Sequence, residues 1–373
     1  MAVLTFDVDD AAMLKWVVSG AENADQGHHM IISVADDGTT TLRTNTALPR
    51  MLTMQADDVT NSVDVAIPAS CIPDATKAVD EGENLVINID QDKDVVYISA
   101  RNTTIKLDNM FDECAIVEPV RATTMLATVG AHDVVGALST AAKLSPRDGN
   151  VNIDCDSAQL SVGVVSGRLH SQEVFGSSLT DDDEYHISVS SKKLSPLNAV
   201  TKMENVDDLV IKQSQGVVGF SFPVSAEYSR IDTLGMVLPT VVKKTQRYDT
   251  PCDEDAREVV AFSKAELKSA LEPVSAVAPD GNVTFDPTGG SGVVITIGDS
   301  VKTIVLDAEV LDNQIITVAL SDVLVALKNI STPQVIVGTI EHQGDDWCFL
   351  SPSHDDDEDT GADLVIASPA VVS

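Results

Sequence analysis

Val63-Asp64-Val65-Ala66-Ile67-Pro68-Ala69 carries apolar residues on a period of two up to a proline, and Ile72, Ala75 and Val79 then follow at helical spacing. A period of two is the mark of a half-buried strand, and a period near 3.6 that of an amphipathic helix. The stretch therefore reads as a strand over 63–67 entering a helix over 68–80. The step decides the fold because it returns twice. Tyr185 to Val189 leads into a helix near Ser191 to Met203, and Ile315 to Val318 leads into one carrying Leu320, Leu324 and Leu327.

Working outward, each step is preceded by another helix and a meander. In the first third Asp10 is the expected cap of a helix striped by Leu14, Val17 and Ala21, followed by strands over 30–34 and 40–44. Strands over 85–89, 95–100 and 104–107 close that unit. In the second third a helix over 132–144 with Val135, Leu138 and Ala142 precedes strands over 151–153, 160–165 and 170–175, and strands over 209–212 and 217–222 complete it. In the last third Ser263 with Glu266 three residues later has the form of a capping box. It opens a helix with Leu267, Leu271 and Val274, then strands over 283–285, 293–297 and 303–306. Strands over 335–340, 347–350 and 364–367 end the pattern.

One pattern thus recurs about every 120 residues, and such a repeat is to be sought before any motif. The expectation is an α+β fold of three similar domains, 1–120, 121–247 and 248–373, each a duplicated unit of one helix plus antiparallel strands. Strand follows strand too often for a doubly wound parallel sheet, and meanders with one face covered by helices fit instead. The length of 373 residues agrees, since about 150 residues per domain suggests two or three.

Composition restricts function. Acidic residues number 58 against 24 Lys and Arg, a formal net charge of −34. An evenly acidic surface repels nucleic acid, so any DNA partner requires the cations to be concentrated somewhere. Aromatic residues are only 4% of the chain, which leaves the cores to Val, Ile, Leu and Ala. Cys71, Cys114, Cys155, Cys252 and Cys348 form no C-x-x-C pair and read as core thiols of a reducing compartment. No signal sequence or membrane span is read, so a cytoplasmic protein is expected.

In their order along the chain, several stretches resemble the β subunit of bacterial DNA polymerase III, the sliding clamp. They are Val63 to Ala69 with the helix after it, the hairpin Val95 to Leu107, Tyr228-Ser229-Arg230 and Val237-Leu238-Pro239. In the last third they are Ile315 to Ala319 with Val323 to Leu327, and Phe349-Leu350-Ser351-Pro352. The resemblance extends over essentially the whole chain. It implies a head-to-tail homodimer of three-domain chains whose helices line a central hole. It also implies sequence-independent binding of duplex DNA, tethering of a DNA polymerase, placement by a clamp loader, and no cofactor or enzymatic activity.

On that reading the cations on and beside the predicted helices face DNA: Lys15, Lys77, Lys143, Arg147, Lys192, Lys193, Lys202, Lys264, Lys268 and Lys328. Lys264 and Lys268 lie four apart and share a helix face. The helices of the first domain are not net basic, a departure from a simple basic bore. The resemblance also implies a cleft for partner peptides, and the matching residues are Gly167, Arg168, Leu169, Leu238, Pro239, Val365, Ile366, Ala367 and Pro369. The family's Gly-His-Arg-Leu run is shortened here, with no histidine before Arg168. Such divergence is what a phage-encoded clamp serving its own polymerase would show.

Other motifs carry no chemistry. Asp90-Gln91-Asp92-Lys93-Asp94 lacks the glycine and distal glutamate of a calcium loop and reads as a hairpin turn. Gly289-Gly290-Ser291-Gly292 lacks the Lys-Ser/Thr of a P-loop. The seven histidines include His28-His29 but no metal-binding spacing, the runs Asp181 to Glu184 and Asp355 to Asp359 read as solvated loops, and no nucleophile with a base is found. The alternative reading is an acidic structural α+β repeat protein of a virion or surface assembly.

Overall fold

Asp7, not Asp10, caps the first helix: its Oδ1 accepts the backbone N–H groups of Asp9 and Asp10 at 3.0 and 2.9 Å, and α1 runs Val8–Val18. Asp10 lies inside the first turn, fully buried, where its Oδ1 accepts the Ser229 hydroxyl at 2.6 Å. Burial pushes its pKa above the usual carboxylate range, with the Ser229 hydrogen bond pulling the other way. The computed structural model describes residues 1–20, 29–80, 82–146, 149–155, 159–166, 169–176, 178–179, 185–203, 205–225, 229–241, 256–278, 280–289, 292–297, 302–330, 332–342, 344–353 and 362–372. Ala21, His28, Arg147, Gly167, Arg168, Tyr228, Cys252, Gly290, Ser291 and the acidic runs at 181–184 and 355–359 lie outside the described residues.

The remaining helices are α2 (Cys71–Thr76), α3 (Ala131–Leu144), α4 (Leu197–Val200), α5 (Lys264–Ser275) and α6 (Leu320–Asn329). α2 is half the length expected. The helix expected over 191–203 is replaced by a 3-10 turn at Ser191–Lys193 and the single turn of α4. Pro196 explains the break, because a proline has no N–H and disfavours helical backbone at the residue before it. Ser263 does hold the N-cap position of α5, but its side chain makes no capping bond.

Every strand pairing is antiparallel, in four sheets. The first runs β5 (Asp58–Val59), β1 (Ala2–Phe6), β7 (Leu85–Asp90), β8 (Val95–Ala100), β9 (Thr103–Asp108). The second runs β14 (Ser178–Leu179), β10 (Thr124–Gly130), β16 (Asp208–Ser214), β17 (Val217–Pro223), β18 (Ile231–Pro239), β4 (Arg50–Gln55), β3 (Thr39–Thr44), β2 (His29–Val34), β6 (Val63–Pro68). The third runs β15 (Tyr185–Ser190), β11 (Asn150–Cys155), β12 (Gln159–Ser166), β13 (Leu169–Gly176), β27 (Ala362–Pro369), β26 (Asp345–Pro352), β25 (Gln334–His342), β19 (Arg257–Ser263), β23 (Glu309–Val310). The fourth runs β22 (Lys302–Leu306), β21 (Val293–Ile297), β20 (Asn282–Asp286), β24 (Ile316–Ala319), β28 (Val371–Val372). Of these β1, β4, β10, β18 and β19, and the two-residue strands β5, β14, β23 and β28, were not anticipated from sequence.

The chain divides into two compact units. One comprises 1–135, 178–182 and 195–241, and holds the first two sheets. The other comprises 136–177, 183–194 and 242–373, and holds the last two. In the first unit Leu4, Phe6, Met13, Leu14, Met30, Leu42, Phe220 and Phe222 are buried to 1% exposure or less. Trp16 ties the segments together: its Nε1–H donates to Pro196 O at 2.9 Å, while Arg50 donates to Trp16 O at 3.0 Å and to Ser19 Oγ at 2.7 Å. Asn45 pins the chain leaving β9, accepting Val117 N–H at 2.8 Å and donating to Ala115 O at 2.9 Å.

In the second unit Phe262 and Phe285, from the third and fourth sheets, touch with ring centroids 5.7 Å apart, and Leu267, Leu271, Val323 and Leu327 are fully buried. Burial raises the Cys348 thiol to about 12. A smaller apolar cluster of Ile336, Ile340, Phe349 and Ala367 occupies part of the third sheet. There the Phe349 ring lies over Gly338, where a side chain would have to overlap both the ring and Arg257 O. Gly338→Ala is therefore expected to cost about 1–3 kcal/mol, read as a lower urea midpoint at unchanged slope; a midpoint equal to wild type would contradict this packing.

Candidate nucleic-acid interface

An amphipathic helix that buries one stripe leaves its cations on the other side. α1 buries Met13, Leu14, Trp16 and Val17, and Lys15 is left exposed. Lys77 follows α2, exposed, with its ammonium 3.1 Å from Asp74. Lys202 is exposed just after α4. In the second unit Lys143 is exposed at the last turn of α3, and Lys192 and Lys193 are exposed side by side on the 3-10 turn. α6 buries Leu320, Val323, Ala326 and Leu327, with Leu324 only partly covered, and Lys328 stays exposed.

Lys264 and Lys268 differ from the others. Both are half-buried. Lys268 lies 3.5 Å from Glu272 one turn on. Lys264 donates from its ammonium to Ile330 O, just past the end of α6, and its backbone N–H donates to Pro333 O at 2.9 Å. A cation at a helix C-terminus meets the negative end of the helix dipole and a carbonyl with no helical partner. Lys264 thus joins α5 to α6, a contact that a shared helix face could not have revealed.

The candidate cleft residues fall on three strands. Leu238, buried, and Pro239, half-buried, end β18. Leu169 opens β13, and β13 pairs with β27 so that His170, Ser171 and Gln172 face Ala367, Ile366 and Val365. Ile366 and Ala367 are buried and Pro369 is exposed. Ser368 donates its hydroxyl to Asp322 Oδ2 at 2.6 Å, fixing β27 against α6. Among the described residues no group of three or more His, Cys, Asp or Glu side chains is arranged to hold a metal. Among the described residues no helix is long and apolar enough to cross a membrane. Gln91 to Asp94 form the turn between β7 and β8, with Lys93 donating to Asp90 at 2.7 Å.

Solved structures provide a match along the whole chain. The DNA polymerase sliding clamp from Pseudomonas aeruginosa superposes with a TM-score of 0.70 at 12% identity, covering 100% of this chain and 99% of that one. The chain has the sliding-clamp fold. A putative DNA polymerase III β subunit from Eubacterium rectale matches with a TM-score of 0.68 at 14% identity, covering 100% of both chains. The β subunit from Thermotoga maritima gives 0.68 at 14%, covering 100% of this chain and 99% of that one. No protein-family model matches the sequence, and neither does any curated protein.

Within the sliding-clamp fold, reading cations off helices passes over the arginines that work internally. Arg50 packs 5.3 Å from the Trp16 ring centroid, Arg43 donates to Val117 O at 3.2 Å, and Arg230 pairs with Asp57. These partners, with Ser19 beside Arg50, are 31 to 173 residues distant, so no local spacing marks them. Lys264→Ala is expected to lower stability by about 0.5–1.5 kcal/mol, the worth of one hydrogen bond. Lys328→Ala should stay within about 0.5 kcal/mol of wild type. Urea unfolding of the two variants side by side checks the difference, and equal effects would remove the structural role of Lys264.

Proposed function

We propose that this protein is a sliding clamp: a head-to-tail homodimeric ring that encircles duplex DNA without reading its sequence and tethers a DNA polymerase. It contributes topology and no catalysis. It acts in the cytoplasm, needs no cofactor, and is placed on DNA by a clamp loader. Holding the polymerase beside its template turns repeated encounters into an effectively intramolecular one. The exposed lysines are the proposed phosphate contacts, few enough for the protein to slide. Leu169 and Val365 to Pro369, on the paired strands β13 and β27, are proposed contacts for partner peptides, and so are Leu238 and Pro239 on β18. The division at 1–120, 121–247 and 248–373 is retained for the three domains. The full-length likeness to sliding clamps carries this reading, and no observation favours a structural repeat protein.

The strand ladders support the dimer. Stepping from partner to partner, Leu4–Ile87–Ile98–Ile105, Ala127–Ile211–Phe220–Met236 and Val260–Val337–Leu350–Ile366 are equivalent rows. So are Val65–Ile32–Leu42–Leu52, Ile187–Ile153–Val162–Glu173 and Ile316–Phe285–Ile295–Ile304. The rows meet at two internal junctions in one register: Leu234, two before Met236, pairs with Leu52, and Leu364, two before Ile366, pairs with Glu173. β9 and β22 occupy the corresponding places in the remaining halves, and each ends its sheet. The third junction then joins β9 of one copy to β22 of another, with Thr103 opposite Ile304 and Thr104 opposite Thr303.

Two experiments follow. Thr104→Cys combined with Thr303→Cys in one chain should give an oxidation-dependent, reductant-reversible covalent dimer that neither single variant gives. A dimer that forms without this crosslink would place the interface elsewhere. Protein loaded onto nicked circular plasmid, with a compatible loader, should be retained on the circle and lost once the plasmid is linearised. Equal retention on both forms would rule out encirclement.

A further inference from the structure

Even if each of the 24 Lys and Arg residues neutralised a different carboxylate, 58 − 24 = 34 acidic side chains would remain uncompensated. Folding concentrates them. Each compact unit gathers its charges into a far smaller volume than the open chain does, so repulsion weak in the open chain grows on folding.

The structure shows one place where folding gathers carboxylates from separate segments. Asp64 on β6, Asp90 and Asp94 flanking the β7–β8 turn, and Asp112 beyond β9 line a cavity of about 220 Å³ in the first unit. Three separate segments bring them there, so their mutual repulsion belongs chiefly to the folded state. Lys93 offsets Asp90, and Asn109 donates to Asp94 at 2.9 Å. Asp64 and Asp112 are exposed, and neither is in an ion pair among the described residues; the Arg43 guanidinium is the cation that acts on Asp64, from a greater distance. The cluster has no ligand of its own; its consequence is energetic.

Screening distance decides how much salt relieves it. The Debye length is about 8 Å at 0.15 M and about 3 Å at 1 M. A carboxylate pair as close as side chains directly opposite on paired strands, roughly 5 Å, falls inside the first distance and outside the second. Ordinary ionic strength therefore leaves close carboxylate pairs largely unscreened, and molar salt does not. We propose that the folded state of this protein is conditional on concentrated monovalent salt, its acidic surface acting as a built-in ionic-strength switch.

The inference is independent of DNA, so its failure would leave the clamp reading untouched. The test is thermal unfolding of the full chain, followed by circular dichroism in 0.1 to 2 M KCl. It is repeated with the double variant Asp64→Asn, Asp112→Asn. Wild-type Tm is expected to rise by roughly 10 °C or more across the series. The double variant should melt above wild type at 0.1 M and converge on it at 2 M, because removing charges and screening them do the same work. A flat or falling wild-type Tm would overturn the proposal. So would an offset between the two proteins that is the same at both ends of the series, since that would trace the variant's effect to local packing.

Discussion

The fold depends on the requirement that backbone N–H and C=O groups at a sheet edge find partners. Neither half of a repeat meets it alone. The β10–β16–β17–β18 meander ends in an open strand, and so does β6–β2–β3–β4; the pairing of β18 with β4 closes both edges and makes a sheet of nine strands. β27 and β13 do the same in the second unit. The outer edge strands β5, β14 and β23 are only two residues long, which limits the backbone they leave open. Elsewhere other segments serve: β28 covers β24, and Met110, in the chain leaving β9, donates its N–H to Ala66 O of β6 at 2.9 Å.

Much of this was legible in the sequence, for a physical reason. Where a segment buries one face it must repeat its apolar residues, so α3, α5 and α6 and most of the meander strands emerge from periodicity near their observed limits. The misses have several causes. β4 and β18 are junction strands, and Arg-Met-Leu-Thr-Met-Gln over 50–55 carries its partner's contribution rather than a strong period of its own. The helix expected over 191–203 showed the right spacing, but Pro196 imposed a backbone restriction that spacing does not register. Asp10 looked like a cap because it precedes the apolar stripe; Asp7 took that place, and Asp10 was buried against Ser229, 219 residues away.

The candidate interface was legible in part. Seven of the ten cations named from sequence are exposed beside helices or turns, two are half-buried and engaged, and one lies outside the described residues. Exposure follows from amphipathicity and could be foreseen. Engagement could not, because Lys264 meets Ile330 O across 66 residues of chain. The cleft residues were located by family likeness instead of chemistry, and the structure adds the β13–β27 register that sets two of their segments side by side.

The two tryptophans of the chain fall one to each unit. Trp16 is 4% exposed beneath the Arg50 guanidinium, whereas Trp347 meets the His170 imidazole edge to face with ring centroids 4.7 Å apart. Each unit thus carries its own intrinsic fluorophore in a distinct electrostatic setting. Replacing either indole with phenylalanine would leave emission reporting on one unit alone. The chain holds, without any added label, the means to ask whether its two units unfold together or in turn.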